Sequence, residues 1–204
     1  MSRLPRALFE RAAPEVAPDL LGQILARRLP DGAILRARIV ETEAYEADDP
    51  ASHSFRGPTQ RNATMFGGPG RLYVYFTYGM HWCMNVVTGP HGHGSAVLLR
   101  AGEPLEGIDV MAALRGTDRV GLLCAGPARW AQAFGVSAAE DGADLIRGRD
   151  LWLELGTPVP RARVVAGPRV GIRRGTERCW RFLEAGSPWV STTPRARTPS
   201  PPSS

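Results

Sequence analysis

A chain of 204 residues with 43% hydrophobic and 22% charged side chains has an ordinary globular composition and can bury a substantial core in one domain. No apolar run nears the ~20 residues of a membrane-spanning helix, and the amino terminus MSRLPRALFERAAPE carries no apolar leader segment, so no membrane partner and a cytoplasmic location are expected. The net charge of +5 suits a polyanionic partner, and all 25 basic residues are arginine, with no lysine anywhere.

In chain order, residues 14–21 (PEVAPDLL) read as a short helix with Pro14 near its start and Gly22 at its stop. Pro18 must then sit in the first turn or bend the helix. QILARRL, Pro30-Asp31-Gly32 and ILRARIVETEAY make a β-hairpin. Residues 46–70 form a long loop bearing His53, Arg56, Arg61, Asn62 and Phe66, of a length that is usually functional or disordered. Residues 71–88 (RLYVYFTYGMHWCMNVVT) give a second hairpin with Tyr78 and Met80 at its tip. Tips normally carry small polar residues. These two are therefore either buried against another loop or a wedge that pushes into something such as a base stack.

AVLLRA (96–101) is a strand with Arg100 facing away from Val97 and Leu99. LEGIDVMAALR (105–115) and PARWAQAF (127–134) have helical spacing, and 151–155, 162–165, 169–172 and 180–185 are β-like. Residues 187–191 (SPWVS) close the domain, and the Pro/Ser/Arg-rich residues 192–204 are expected to be a disordered tail. The pattern indicates an α+β fold on a mainly antiparallel sheet.

The most informative stretch is 34–54. Strict alternation would put Leu35, Ala37, Ile39, Glu41, Glu43 and Tyr45 on one strand face, with His53 in the loop that follows. A carboxylate, a phenol and an imidazole beside apolar surface describe a site; a solvated strand end would show the same pattern. Other chemistry is poorly provided for. A P-loop needs the missing lysine, no GxSxG is present, and the three cysteines form no CxxC spacing. His91 and His93 have no nearby cysteine or carboxylate in sequence with which to hold a metal. Glu43 can act as a general base. Glu41 and Glu43 on one strand cannot readily flank a sugar as an acid/base pair.

RIVETEAYEADDPASHSFRGPTQRNATMF, GPGRLYVYFTYGMHWCMNVV, AVLLRAGEPLEG, LCAGPARW and GSPWVS together resemble the alkyladenine (3-methyladenine) DNA glycosylase family. The resemblance runs from about Pro14 to Ser191, leaving 1–13 as an extension. It implies a single mixed domain around a curved, mainly antiparallel sheet with a protruding hairpin. It also implies a monofunctional enzyme that flips alkylated or deaminated purines (3-methyladenine, hypoxanthine) out of damaged double-stranded DNA and hydrolyses the N-glycosidic bond in base excision repair. Family members use no cofactor and no metal, and a monomer with no obligate protein partner is expected.

By the same resemblance, Glu43 is the general base and Arg100 helps to hold the water or an adjacent phosphate. Tyr45 stacks on the flipped base, and His53 and Tyr75 close the pocket. Asn85 crowds a purine 2-amino group, Tyr78 intercalates with Met80 beside it in the minor groove, and the Val190 carbonyl contributes. Arg129 stands where the family commonly has lysine. A non-catalytic lesion- or RNA-binding module is the alternative that would keep the basic surface without needing Glu43, and a sugar hydrolase would need a second carboxylate opposite it.

Overall fold

The computed structural model describes residues 2–191; the expected tail at 192–204 lies outside them. Eight strands form one sheet, all paired antiparallel, that curls into a half-barrel in a mixed α+β domain. They are β1 (Ile24–Arg28), β2 (Ile34–Tyr45), β3 (Leu72–Thr77), β4 (His81–Thr88), β5 (Ser95–Glu106), β6 (Leu151–Glu154), β7 (Val164–Gly167) and β8 (Arg181–Glu184). The main order is β3-β4-β5-β2-β1-β6. β2 is the hub, with β5 along one edge and, on the other, β1 at residues 34–38 and β8 at 41–43. The helices are α1 (Ala13–Asp19), α2 (Ile108–Arg115) and α3 (Pro127–Ala133). None is long and apolar enough to cross a membrane among the described residues.

The core is built where Phe9, Val16, Leu20, Trp130 and Phe134 pack on Leu35, Ile39, Val97 and Leu99 of the sheet. Residues 2–12, which the sequence reading placed in an extension, contribute Leu4 and Phe9 to this core. The α1 helix keeps Pro18 past its first turn. Its stop depends on Gly22, at φ +87, where an added Cβ would meet the Thr157 carbonyl oxygen at 2.1 Å.

Three expectations need correction. First, β5 continues through Leu105 and Glu106, so the second helix begins only at Ile108, after Gly107 in the left-handed region at φ +75. Second, residues 169–172 are not a strand; the Val170 N–H is given to a side chain, as described below, and does not join a ladder. Third, strict alternation along β2 fails. The register shifts on both sides of Glu41, and this bulge transfers the core-facing side from Leu35, Ala37 and Ile39 to Thr42 and Ala44. Glu41, Glu43 and Tyr45 consequently face away from the apolar residues that precede them. The odd face that starts apolar and ends acidic is two different faces.

Candidate active site

Four segments converge on the side of the sheet that the bulge turns outward. β2 supplies Glu43 and Tyr45, the loop after it His53, the β3–β4 hairpin Tyr73, Tyr75, Tyr78 and Asn85, and β5 Leu98 and Arg100. Residues 170–172 complete the wall of a cavity of about 240 Å³. All four tyrosines of the chain line it. The residues expected from the sequence to form the site therefore meet in one place, except Met80, which lies beyond the lining at the hairpin tip, and Val190, taken up below.

Glu43 is fully buried at the cavity wall. Its Oε1 accepts from the Val170 N–H at 2.7 Å and lies 3.3 Å from Arg100 Nη1; its Oε2 accepts from the Tyr45 hydroxyl at 2.9 Å. Burial raises its pKa above the ordinary carboxylate value. The Arg100 charge, the Val170 N–H and the Tyr45 hydroxyl oppose the rise, and the Glu41 charge adds to it. Tyr45 is in turn pushed well up, by burial first and then by the neighbouring Glu43 carboxylate, so it stays a donor.

Glu41 is equally buried but points into protein. Its Oε1 accepts from Arg100 Nε at 2.9 Å, Arg181 Nε at 2.6 Å and the Ser191 hydroxyl at 3.0 Å, and its Oε2 accepts from the Ser191 N–H at 2.6 Å. The closing SPWVS turn thus docks on Glu41. Val190, expected to contribute through its carbonyl, is not among the cavity's lining residues. The backbone contact to Glu43 comes instead from Val170.

On the opposite wall His53 stands edge-on to Tyr75, with ring centroids 4.5 Å apart, and its Nδ1 lies 3.1 Å from the Tyr73 hydroxyl. Burial, then the Arg61 charge, lowers the His53 pKa, which keeps the ring neutral at pH 7. The Asn85 side chain is held by a 3.2 Å bond to the Tyr73 carbonyl. Tyr73, pushed up to about 12 by burial, was missed in the sequence, although its i,i+2 relation to Tyr75 places it on the same face. Val170, Gly171 and Ile172 carried no sequence signal beyond apolar alternation.

At the mouth of the cavity the hairpin tip is bare: Tyr78 is 81% and Met80 67% exposed. The buried-tip alternative is excluded. Tyr78 is also the only non-glycine residue with positive φ among those described, at 52°. The histidine loop makes no metal cluster among the described residues. His93 lies 3.0 Å from Glu46, whose other oxygen accepts the Ala13 N–H. Arg129 is exposed in the first turn of α3 and donates to the Ala125 carbonyl.

Residues 7–188 match the family described as Methylpurine-DNA glycosylase (MPG). Proteins named "Putative 3-methyladenine DNA glycosylase" are similar along nearly their whole length. One from Burkholderia lata is 53% identical over 191 residues, covering 92% of this chain and 90% of the relative. One from Streptomyces avermitilis is 50% identical over 201 residues, covering 96% and 93%. One from Chlorobaculum parvum is 46% identical over 194 residues, covering 95% and 92%. A match over this span, with the family's blocks gathered around one cavity, shows that the chain belongs to the methylpurine-DNA glycosylase family.

Proposed function

We propose that this protein is a monofunctional DNA glycosylase. It turns an alkylated or deaminated purine of the 3-methyladenine or hypoxanthine type out of duplex DNA and hydrolyses its N-glycosidic bond with water. It acts as a cytoplasmic monomer in base excision repair. The observation that carries this reading is Glu43, a buried carboxylate held by three contacts in an aromatic cavity with an exposed tyrosine at its mouth. The cavity's 240 Å³ is below the ~300–1,000 Å³ of drug-sized sites, which suits a single flat base between rings.

The chemistry follows from that placement. A base inside a duplex is inaccessible, so the nucleotide must leave the stack, and Tyr78 is positioned to occupy the gap. Tyr45 on one side and His53 with Tyr75 on the other take the flipped ring, and Asn85 crowds the edge where guanine carries its amino group. Water attacks C1′ while the C1′–N bond breaks with its electron pair going to the purine. Glu43 takes the water's proton, and its charge stabilises the positive sugar that develops. A cationic methylpurine departs neutral; hypoxanthine needs a proton. The Arg100 charge opposes the rise that burial imposes on the Glu43 pKa.

Glu43→Gln tests the assignment, because an amide cannot accept the water's proton. It should still bind a lesion duplex and lose about 10²–10⁴-fold in single-turnover base release, the usual worth of a general base. Release from a hypoxanthine duplex at near wild-type rate would remove Glu43 from this role.

A further inference from the structure

Behind the wall that carries Tyr45 lies a buried ion pair that the chemistry above leaves unused. Arg169 and Asp49 have no exposed side-chain surface. Arg169 Nη2 lies 3.0 Å from Asp49 Oδ1, and its Nη1 donates to Asp49 Oδ2 and, at 2.9 Å, to the Ala44 carbonyl. Nη2 also donates to the Gly175 carbonyl at 3.2 Å. Burying two charges is expensive, and as a pure stability device an apolar pair does as well. The neighbours of this pair give it another use.

The guanidinium carbon sits 4.6 Å from the centroid of the Tyr45 ring and 5.4 Å from that of Trp180. The next residue along the chain, Val170, donates its N–H to Glu43. Asp49 also accepts from the Ala51 N–H at 3.1 Å, at the head of the turn that leads to Ser52 and His53. The stacking ring, the carboxylate and the histidine loop are thus all tied to one fork. We propose that Arg169, locked by Asp49, is a positioning residue: it sets the plane of Tyr45 and holds the Val170 N–H against Glu43, and so aims the carboxylate at the attacking water. The proposal rests on the reading of Glu43 as the base.

Two variants test it. Arg169→Lys keeps the charge but loses the planar fork and the stacking. The double variant Arg169→Met/Asp49→Asn removes both charges and leaves neither stranded. The first readout is the titration of the Glu43 carboxyl, followed by carbon NMR of glutamate-labelled protein. Arg100, Tyr45 and Glu41, the other groups facing this carboxyl, are not substituted, so withdrawal of the Val170 N–H, together with loosening of the Tyr45 hydroxyl whose ring Arg169 holds, should raise its midpoint in both variants.

The second readout is single-turnover release of free base from a methylpurine duplex. At saturating protein, where weaker stacking on Tyr45 does not enter the rate, it should fall about 100-fold, the cost of a misplacement near 1 Å. A Glu43 midpoint equal to wild type in both folded variants overturns the proposal, as does full release by the double variant. Wild-type protein that releases no damaged purine would remove the functional reading instead. The carboxyl titration would still decide whether Arg169 positions Glu43.

Discussion

Tyr78 offers the sharpest separation of function from folding. Its side chain is 81% exposed, so truncation removes little burial. Its φ of 52° is one that costs a non-glycine residue about 1–2 kcal/mol. Tyr78→Gly relieves that strain and gives back about 0.5–1 kcal/mol in lost unfolded-state freedom. The two nearly cancel, and since 1 kcal/mol moves the midpoint of a domain this size by about 2–4 °C, the thermal midpoint should shift by no more than a few degrees. On DNA the loss is larger. Stacking on a base is worth about 1–3 kcal/mol, which corresponds to about 5- to 150-fold weaker binding of a lesion duplex. Scanning calorimetry and fluorescence anisotropy on the same preparation measure both, and a fluorescent adenine analogue beside the lesion reports flipping. A midpoint that collapses together with affinity would mean a structural tip, and unchanged affinity at an unchanged midpoint would sink the wedge.

Three further outcomes are expected. Glu43 has a raised pKa in the fold, and the base proposed for it works only when ionised, so release of a cationic methylpurine should switch on with rising pH through a limb above the ordinary carboxylate range. Tyr45→Phe, which removes a donor from Glu43, should move that limb to still higher pH, and a limb at or below the ordinary value would contradict the electrostatics. Glu41→Gln strips a fully buried carboxylate from two arginines, a loss of about 3–5 kcal/mol, so its thermal midpoint should drop on the order of 10 °C. Glu43→Gln should keep its midpoint, because burial already penalises the Glu43 charge in the fold, and equal drops in calorimetry would erase the distinction. Borohydride should trap no adduct on a lesion duplex: the chain has no lysine to form a Schiff base. Its amino-terminal segment pairs at Arg3 with Glu154 of β6, at the far end of the sheet order from the hairpin. A stoichiometric covalent complex would refute the water mechanism.

Where local chemistry decided structure, the sequence was readable. The Pro-Asp-Gly turn joins β1 to β2 with Gly32 at φ +89, and the aromatic run at 72–77 pairs with 81–86 residue for residue. Pro127 and Gly135 bracket α3 as capping rules require. The failures occurred where a distant partner claimed a backbone group. RVGI alternates like a strand, but its amide serves a carboxylate 127 positions away. LEG looks like the start of a helix, but Leu105 and Glu106 belong to the end of β5, beside β2.

The site shows the same division at finer scale. Glu41 and Glu43 are the same residue type two positions apart, and nothing local distinguishes them. The β-bulge around Glu41 turns both away from the core. Arg100 then reaches both, Nε to one and Nη1 to the other. What separates them is the far side of each carboxylate. Glu41 meets Arg181 and Ser191 and has every oxygen engaged by protein. Glu43 meets Tyr45, Val170 and open cavity. A carboxylate whose acceptor positions are filled by cations and an amide can only hold structure; one left with a free acceptor position beside a cavity can take a proton from water. That assignment depends on residues from 170 to 191, contributed by the last quarter of the chain, and no spacing rule within residues 34–54 contains it.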